Sequence, residues 1–298
     1  MKDWINLAAQ VQKHRDRGLQ LDGVSEKKFG LFLYSSNYYR VSGYARCFYE
    51  PGEDRYASGA TASRLMDVYD LDRAVRNAVL DGVSVVEPTL RARVAYHVAG
   101  AVGGDGHLAA SLYLPDSFPD PTDERAMGQH AAETKNRNTV LAAFEELRTR
   151  SELFIRHHIE KEETVPLWAA IEVLSIGTFS RMLRALRDKS VLEPVAKSLA
   201  FEDIPKLLQA VQNIAFIRNI AAHHGRLWNR KFTGYVTLPS IAMKVKRDFL
   251  HPQTPAAALT LLAGMVDQIE GSNAYSTHLL DLVHSVTGLE VGYYQPTL

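Results

Sequence analysis

Between Arg64 and Val98 the apolar residues Leu65, Val68, Leu71, Val75, Val79, Val83, Val86, Leu90 and Val94 recur every three or four positions. That spacing predicts a helix with one buried stripe, interrupted near Gly82 and Pro88, where glycine and proline weaken helical backbone. The run Ala101 to Gly106 (AVGGDG) predicts the helix end, and Tyr113 to Asp123, with Pro115, Pro119 and Pro121, a long surface loop. Helical spacing resumes from Thr139 to Glu163 with dense charge, read as a solvated face. Pro166 then opens a helix at its first turn, expected to run through Trp168, Ile171 and Leu174 towards Gly177. Further helices are predicted from Ser180 to Leu186, from Pro205 onward with Leu208, Val211 and Ala215 on one face, and from Pro255 to about Val286. Phe232 to Leu238 alternates apolar and polar residues around Gly234, which predicts a short strand or hairpin. The reading is an all-α helical bundle: an N-terminal helical arm over 1–60, a helical domain over 61–163 and a second over 164–298.

Composition narrows the function classes. The chain has 298 residues, 46% apolar and 23% charged, so it has enough apolar matter for a core and is not a disordered chain. Lys plus Arg (34) equals Asp plus Glu (34), which excludes a uniformly basic coat and leaves only local sorting of charge for binding an anion. Cys47 is the only cysteine, so no intrachain disulfide and no cysteine-based zinc site can form. The start, MKDWINLAAQVQKHRDR, has no apolar core of a signal peptide and reads as a polar helix. Ala256 to Val266 falls well short of the roughly 20 residues of a membrane span. A soluble cytoplasmic protein is expected.

Charge is sorted late in the chain. From Lys206 to Leu250 stand Lys206, Arg218, Arg226, Arg230, Lys231, Lys244, Lys246 and Arg247 against one acid, Asp248. Such an excess suits a phosphate backbone; the alternative is pairing with the acidic run Glu160 to Glu163. Inside the block lies Arg218-Asn219-Ile220-Ala221-Ala222-His223-His224. An imidazole can move the proton of a ribose hydroxyl or of a leaving oxygen near neutral pH. A guanidinium offsets charge on phosphorus oxygens, and Asn219 can position either by hydrogen bonding. On a regular helix Asn219 and His223 share a face while Arg218 and His223 point about 140° apart. One copy therefore makes a closed site only where the helix ends or bends. A two-fold homodimer, with Ala221 and Ala222 admitting a second helix, would bring two copies together. Other Arg-to-His spacings, Arg91 to His97, Arg125 to His130 and Arg150 to His157, lack the polar neighbour and the basic setting. Arg91 with His97 flanks the apolar stripe, a structural position, with an auxiliary RNA contact as the lesser alternative. His157-His158 with Glu160 and Glu163 lacks the HExxH spacing, so no metal and no cofactor is expected.

Ile217 to Arg230 (IRNIAAHHGRLWNR) resembles the signature of the Abi-like family (AbiD/AbiF type), bacterial abortive-infection proteins of phage defence. Asn37 to Glu50, Tyr69 to His97 and Val165 to Leu183 are similar to further family blocks in the same order. The resemblance implies a C-terminal HEPN domain and metal-independent endoribonuclease chemistry, ending in a 2′,3′-cyclic phosphate and a 5′-hydroxyl. It places Arg218, Asn219 and His223 at the motif positions and His224 at the family's second histidine. It also implies RNA as substrate and, as partner, a small noncoding RNA or an antitoxin. Around this core, Arg226, Arg230 and Lys231 are read as phosphate contacts, with ordinary surface salt bridges as the alternative for Arg226 and Arg230. Trp228 is read as a base-stacking residue or as packing for the motif helix. Glu172 is read as a partner that orients Arg218, or as a structural ion pair. Tyr38, Tyr39, Arg40 and Tyr44 suit either RNA stacking or a wedge between arm and core. The rival reading is a non-cleaving module that binds a small noncoding RNA.

Overall fold

The computed structural model describes residues 3–113, 119–238 and 250–297, and within them all regular structure is helical. In chain order the α-helices are α1 (Leu7–Asp16), α2 (Glu26–Ser36), α3 (Tyr38–Ala45), α4 (Ala62–Val102), α5 (Glu124–Glu145), α6 (Leu153–Glu160) and α7 (Leu167–Ala170). They continue with α8 (Ile176–Ala185), α9 (Glu193–Ser198), α10 (Ile204–Ala222), α11 (Pro255–Glu270), α12 (Ala274–Val283) and α13 (Val291–Tyr294). Starts follow local chemistry: the side chains of Asn6, Ser25, Thr61, Asp123, Ser175, Asp203 and Thr254 each accept the orphan N–H three residues on.

α4 is the axis of the bundle. Its buried stripe packs against α10, α11 and α12, with α3, α7 and α9 also against it. The expected interruption near Gly82 and Pro88 does not occur. Pro88 is exposed, so the carbonyl of Ser84, which it leaves without a helical partner, also lies on the solvent side. Gly82 is a packing residue: the Tyr275 hydroxyl donates to the Ala78 carbonyl at 2.6 Å, and a Cβ at residue 82 would lie 2.3 Å from that oxygen. The apolar core draws on every helix from α1 to α13, α5 through Val140 and Phe144 and α6 through Ile155 included.

Further expectations are corrected. The helix after Pro166 does not run to Gly177; it breaks at Leu174 and restarts as α8 behind the Ser175 cap. Arg91, buried on α4, holds that break by donating to the Ile171 and Leu174 carbonyls while paired with Glu87, so it is a structural clamp and not a surface RNA contact. Phe232 to Leu238 forms no strand or hairpin. It is an irregular segment tied to the chain before α11 by Phe232 N–H to the Gln253 carbonyl (2.9 Å) and Val236 N–H to the Pro252 carbonyl (2.8 Å). Part of the proline loop (residues 114–118) and Lys244, Lys246, Arg247 and Asp248 of the basic block lie outside the described residues. No helix among the described residues is long and apolar enough to cross a membrane.

Candidate functional site

The motif sits at the C-terminal end of α10, and the helix does end there. Gly225 N–H reaches the Ile220 carbonyl (2.7 Å) and His224 N–H the Ala221 carbonyl (3.0 Å), the paired bonds of a Schellman turn. Such a turn needs a left-handed residue, and here that residue is His224, at φ 55°. Glycine would adopt this backbone at no steric cost, whereas a side chain costs about 1 kcal/mol. Strain of this kind persists where surrounding contacts hold it. One such contact is Arg40 of α3, whose guanidinium donates to the His224 carbonyl at 2.5 Å and places a cation at the negative end of the helix dipole.

The motif side chains lie on the outside of that turn. Arg218 is half-buried and donates to Asn219 Oδ1 at 3.2 Å. Asn219, His223 and His224 are exposed. Glu172 is exposed, and the only hydrogen bond of the Arg218 side chain among the described residues goes to Asn219, so Glu172 does not orient the guanidinium. Ala221 is 1% exposed and faces the chain's own core, leaving only Ala222 to meet an approaching helix. No acid occurs from Leu207 to Leu238. Among the described residues no group of three or more His, Cys, Asp or Glu is placed to hold a metal ion; His158 of the HHxE run lies against the His157 ring and pairs with Glu163 at 3.3 Å.

The residues just after the turn behave differently. Asp72, wholly buried on α4, accepts the backbone N–H groups of Leu227 (3.1 Å) and Trp228 (2.8 Å). It also accepts the Tyr44 hydroxyl (2.6 Å), the Arg76 guanidinium (2.5 Å) and the Tyr293 hydroxyl (3.2 Å). Burial, and then the charge of Asp72, push both phenols well above the ordinary tyrosine range, so both stay protonated as donors. Trp228 is 6% exposed, stacks on Phe48 and donates its indole N–H to the Leu289 carbonyl at 2.7 Å. Gly292 makes this possible, since a Cβ there would lie 2.3 Å from the indole nitrogen. Trp228 therefore packs the end of the motif helix and has no free face for a base. Arg226 is turned inward too, donating to Cys47 Sγ at 2.8 Å, and burial pushes that thiol up. Arg230 and Lys231 remain at the surface, half-buried and exposed. Of the arm residues, Tyr44 belongs to the buried network, Tyr38 accepts from Arg17, and Tyr39 is exposed.

Reasoning on the motif alone missed Asp72, Arg76, Tyr293 and the Arg40 cap. A usable signal existed for the first two: an acid and an arginine four residues apart sit within the apolar stripe of α4 instead of on its polar side. Residues 31–229, two thirds of the chain and nearly all of this arrangement, match the family model described as Abi-like protein. No curated protein and no solved structure is significantly similar to the chain. The chain belongs to the Abi-like family.

Proposed function

We propose that this member of the Abi-like family is an endoribonuclease of the HEPN type, of the AbiD/AbiF kind, acting in abortive-infection defence or as a toxin. The observation that carries the reading is the α10 turn, which presents Arg218, Asn219 and His223 to solvent within a stretch that has no acid. In the proposed step the ribose 2′-hydroxyl loses its proton, and its oxygen forms a bond to the adjacent phosphorus. The bond from phosphorus to the 5′-oxygen breaks and that oxygen takes up a proton, leaving a 2′,3′-cyclic phosphate and a 5′-hydroxyl. His223 moves a proton as general base or acid, Arg218 offsets the charge growing on the phosphoryl oxygens, Asn219 positions them, and His224 is secondary. No step of this scheme requires a metal. A homodimer that brings two such turns to one cleft would supply one imidazole as base and the other as acid. A small noncoding RNA or a protein antitoxin is the partner class proposed to restrain it.

The test is growth of bacteria expressing the chain. Wild type is expected to arrest growth, and Arg218→Ala and His223→Ala to abolish the arrest while staying within about 0.5 kcal/mol of wild type in stability, as surface positions outside the buried network do. Arrest that persists in both variants would overturn the site. If His223→Ala matches wild type while Arg230→Ala does not, the protein is an RNA-binding module that does not cleave.

A further inference from the structure

The outward face of α10 continues past the motif. Positions 209, 212, 216, 219 and 223 recur at helical spacing on one side, so Gln209, Gln212 and Phe216 stand in line with Asn219 and His223. Phe216 is 39% exposed, a large apolar ring in a row of amides. It is held edge-on against Phe232, with ring centres 5.1 Å apart, and the Arg230 guanidinium lies 5.9 Å from its centre. From α8, Arg184 donates to the side-chain carbonyls of Gln212 and Gln209, while its buried Nε finds no partner among the described residues. Asn213 and Gln209 donate to the Tyr235 carbonyl at 3.3 and 3.4 Å. Those bonds hold the backbone of a second exposed aromatic, Tyr235, against α10 at Gln209 and Asn213, in the turns before Phe216.

Two exposed aromatic rings, two guanidinium groups and a row of amides match the parts of a nucleotide: a π-face, a polar edge and an anionic backbone. They do not match a second copy. A two-fold contact centred on Phe216 would bring Arg230 and Lys231 towards their own counterparts, and no acid between Leu207 and Leu238 stands ready to neutralise them. We propose that Phe216, Tyr235 and Arg230 form a base-stacking subsite for unpaired RNA, with Gln212 beside them to meet a base edge. The subsite lies roughly 10 Å along α10 from His223, at 1.5 Å of rise per residue, so stacked bases sit upstream or downstream of the scissile linkage. A paired base has both faces covered by its neighbours and cannot use it, so cleavage is directed to single-stranded segments. This inference rests on the RNA reading above, and names the class of RNA.

The experiment measures binding of a fluorescent unpaired oligoadenylate of about twelve nucleotides, and of the same strand annealed to its complement, to full-length protein carrying His223→Ala. Phe216→Ala is expected to weaken binding of the unpaired probe by roughly 5- to 150-fold, the span of one base–aromatic stack. Phe216→Leu, which keeps an apolar side chain against Phe232, is expected to lose a comparable factor, and Phe216→Trp to retain affinity. Arg230→Ala should also flatten the salt dependence, which Phe216→Leu leaves alone. Equal binding by parent and Phe216→Leu, or equal affinity for paired and unpaired probes, overturns the subsite. So does a change from dimer to monomer in Phe216→Leu, which assigns the ring to an interface between copies. Loss of binding in Phe216→Leu from a protein whose wild type cleaves nothing upholds the subsite and removes the nuclease. Cleavage that needs His223 but ignores Phe216 upholds the nuclease and removes the subsite.

Discussion

Residues 218–224 and 226–229 are nearly adjacent in the chain, yet they hold opposite positions in the molecule. The first group ends a helix in a strained turn, with its histidines exposed and its guanidinium bonded, among the described residues, only to the neighbouring Asn219. The second is fastened inside by Asp72, Cys47, Leu289 and Gly292. A turn in a costly backbone conformation can be kept in one geometry when the residues after it are held by a buried charge. The lesson is a division of labour within one short motif: polar groups left free for a phosphate, and an anchor that keeps them there.

The largest way to break this contrast is to cut the anchor. Asp72→Ala leaves Arg76 charged and unpaired in the interior and strands the N–H groups of Leu227 and Trp228. Breaking a buried pair in this way costs about 3–5 kcal/mol, to be read from chemical denaturation. A loss below about 1 kcal/mol would show that the network does not hold the turn.

Acid gives the next largest effect, on the core side of the contrast. His14 is fully buried, its Nδ1 2.6 Å from the Tyr56 hydroxyl, and burial above all, then Arg17 and Lys13, lowers its pKa from 6.5 to about 4. The folded protein thus keeps this ring neutral while the unfolded chain protonates it below about 6.5. Stability is complete above that pH and is lost as pH falls towards 4, by about 3 kcal/mol at 1.36 kcal/mol per unit. Buried His107, also lowered by burial, adds in the same direction. His14→Phe, followed by denaturation at a series of pH values, should flatten this slope; an unchanged slope refutes the assignment.

How far these features were legible follows from the range of the contacts. Helix starts are written locally in caps such as Asp203 followed by Pro205, and the motif at Arg218 to His224 stands out by its charge setting. The passage of α4 through Pro88 was legible only with the side of the helix taken into account, because Pro88 lies opposite the stripe of Val79, Val83, Val86 and Leu90. The anchor was not legible: Asp72 gathers donors from positions 28 residues before it to 221 after it, and Arg40 meets His224 across 184 residues. Periodicity places a residue on a face but does not say which distant segment arrives there.

The smallest effect sits at the turn itself. His224→Gly removes the left-handed strain and should raise stability by up to about 1 kcal/mol, the opposite sign to Asp72→Ala, as measured by the denaturation midpoint. A loss of stability would mean that the His224 side chain, and not its backbone, supports the turn.

The central claim is that the exposed imidazole of His223 moves protons in RNA cleavage. Its most direct measurement incubates purified wild type and His223→Ala with total cellular RNA in EDTA and maps the ends of new fragments. The account predicts fragments ending in a 2′,3′-cyclic phosphate and beginning with a 5′-hydroxyl, reduced about 10²- to 10⁴-fold in the variant, the usual worth of one proton-transfer group. Fragments formed equally by the variant, or bearing 5′-phosphates and appearing only when a divalent metal is restored, would contradict it.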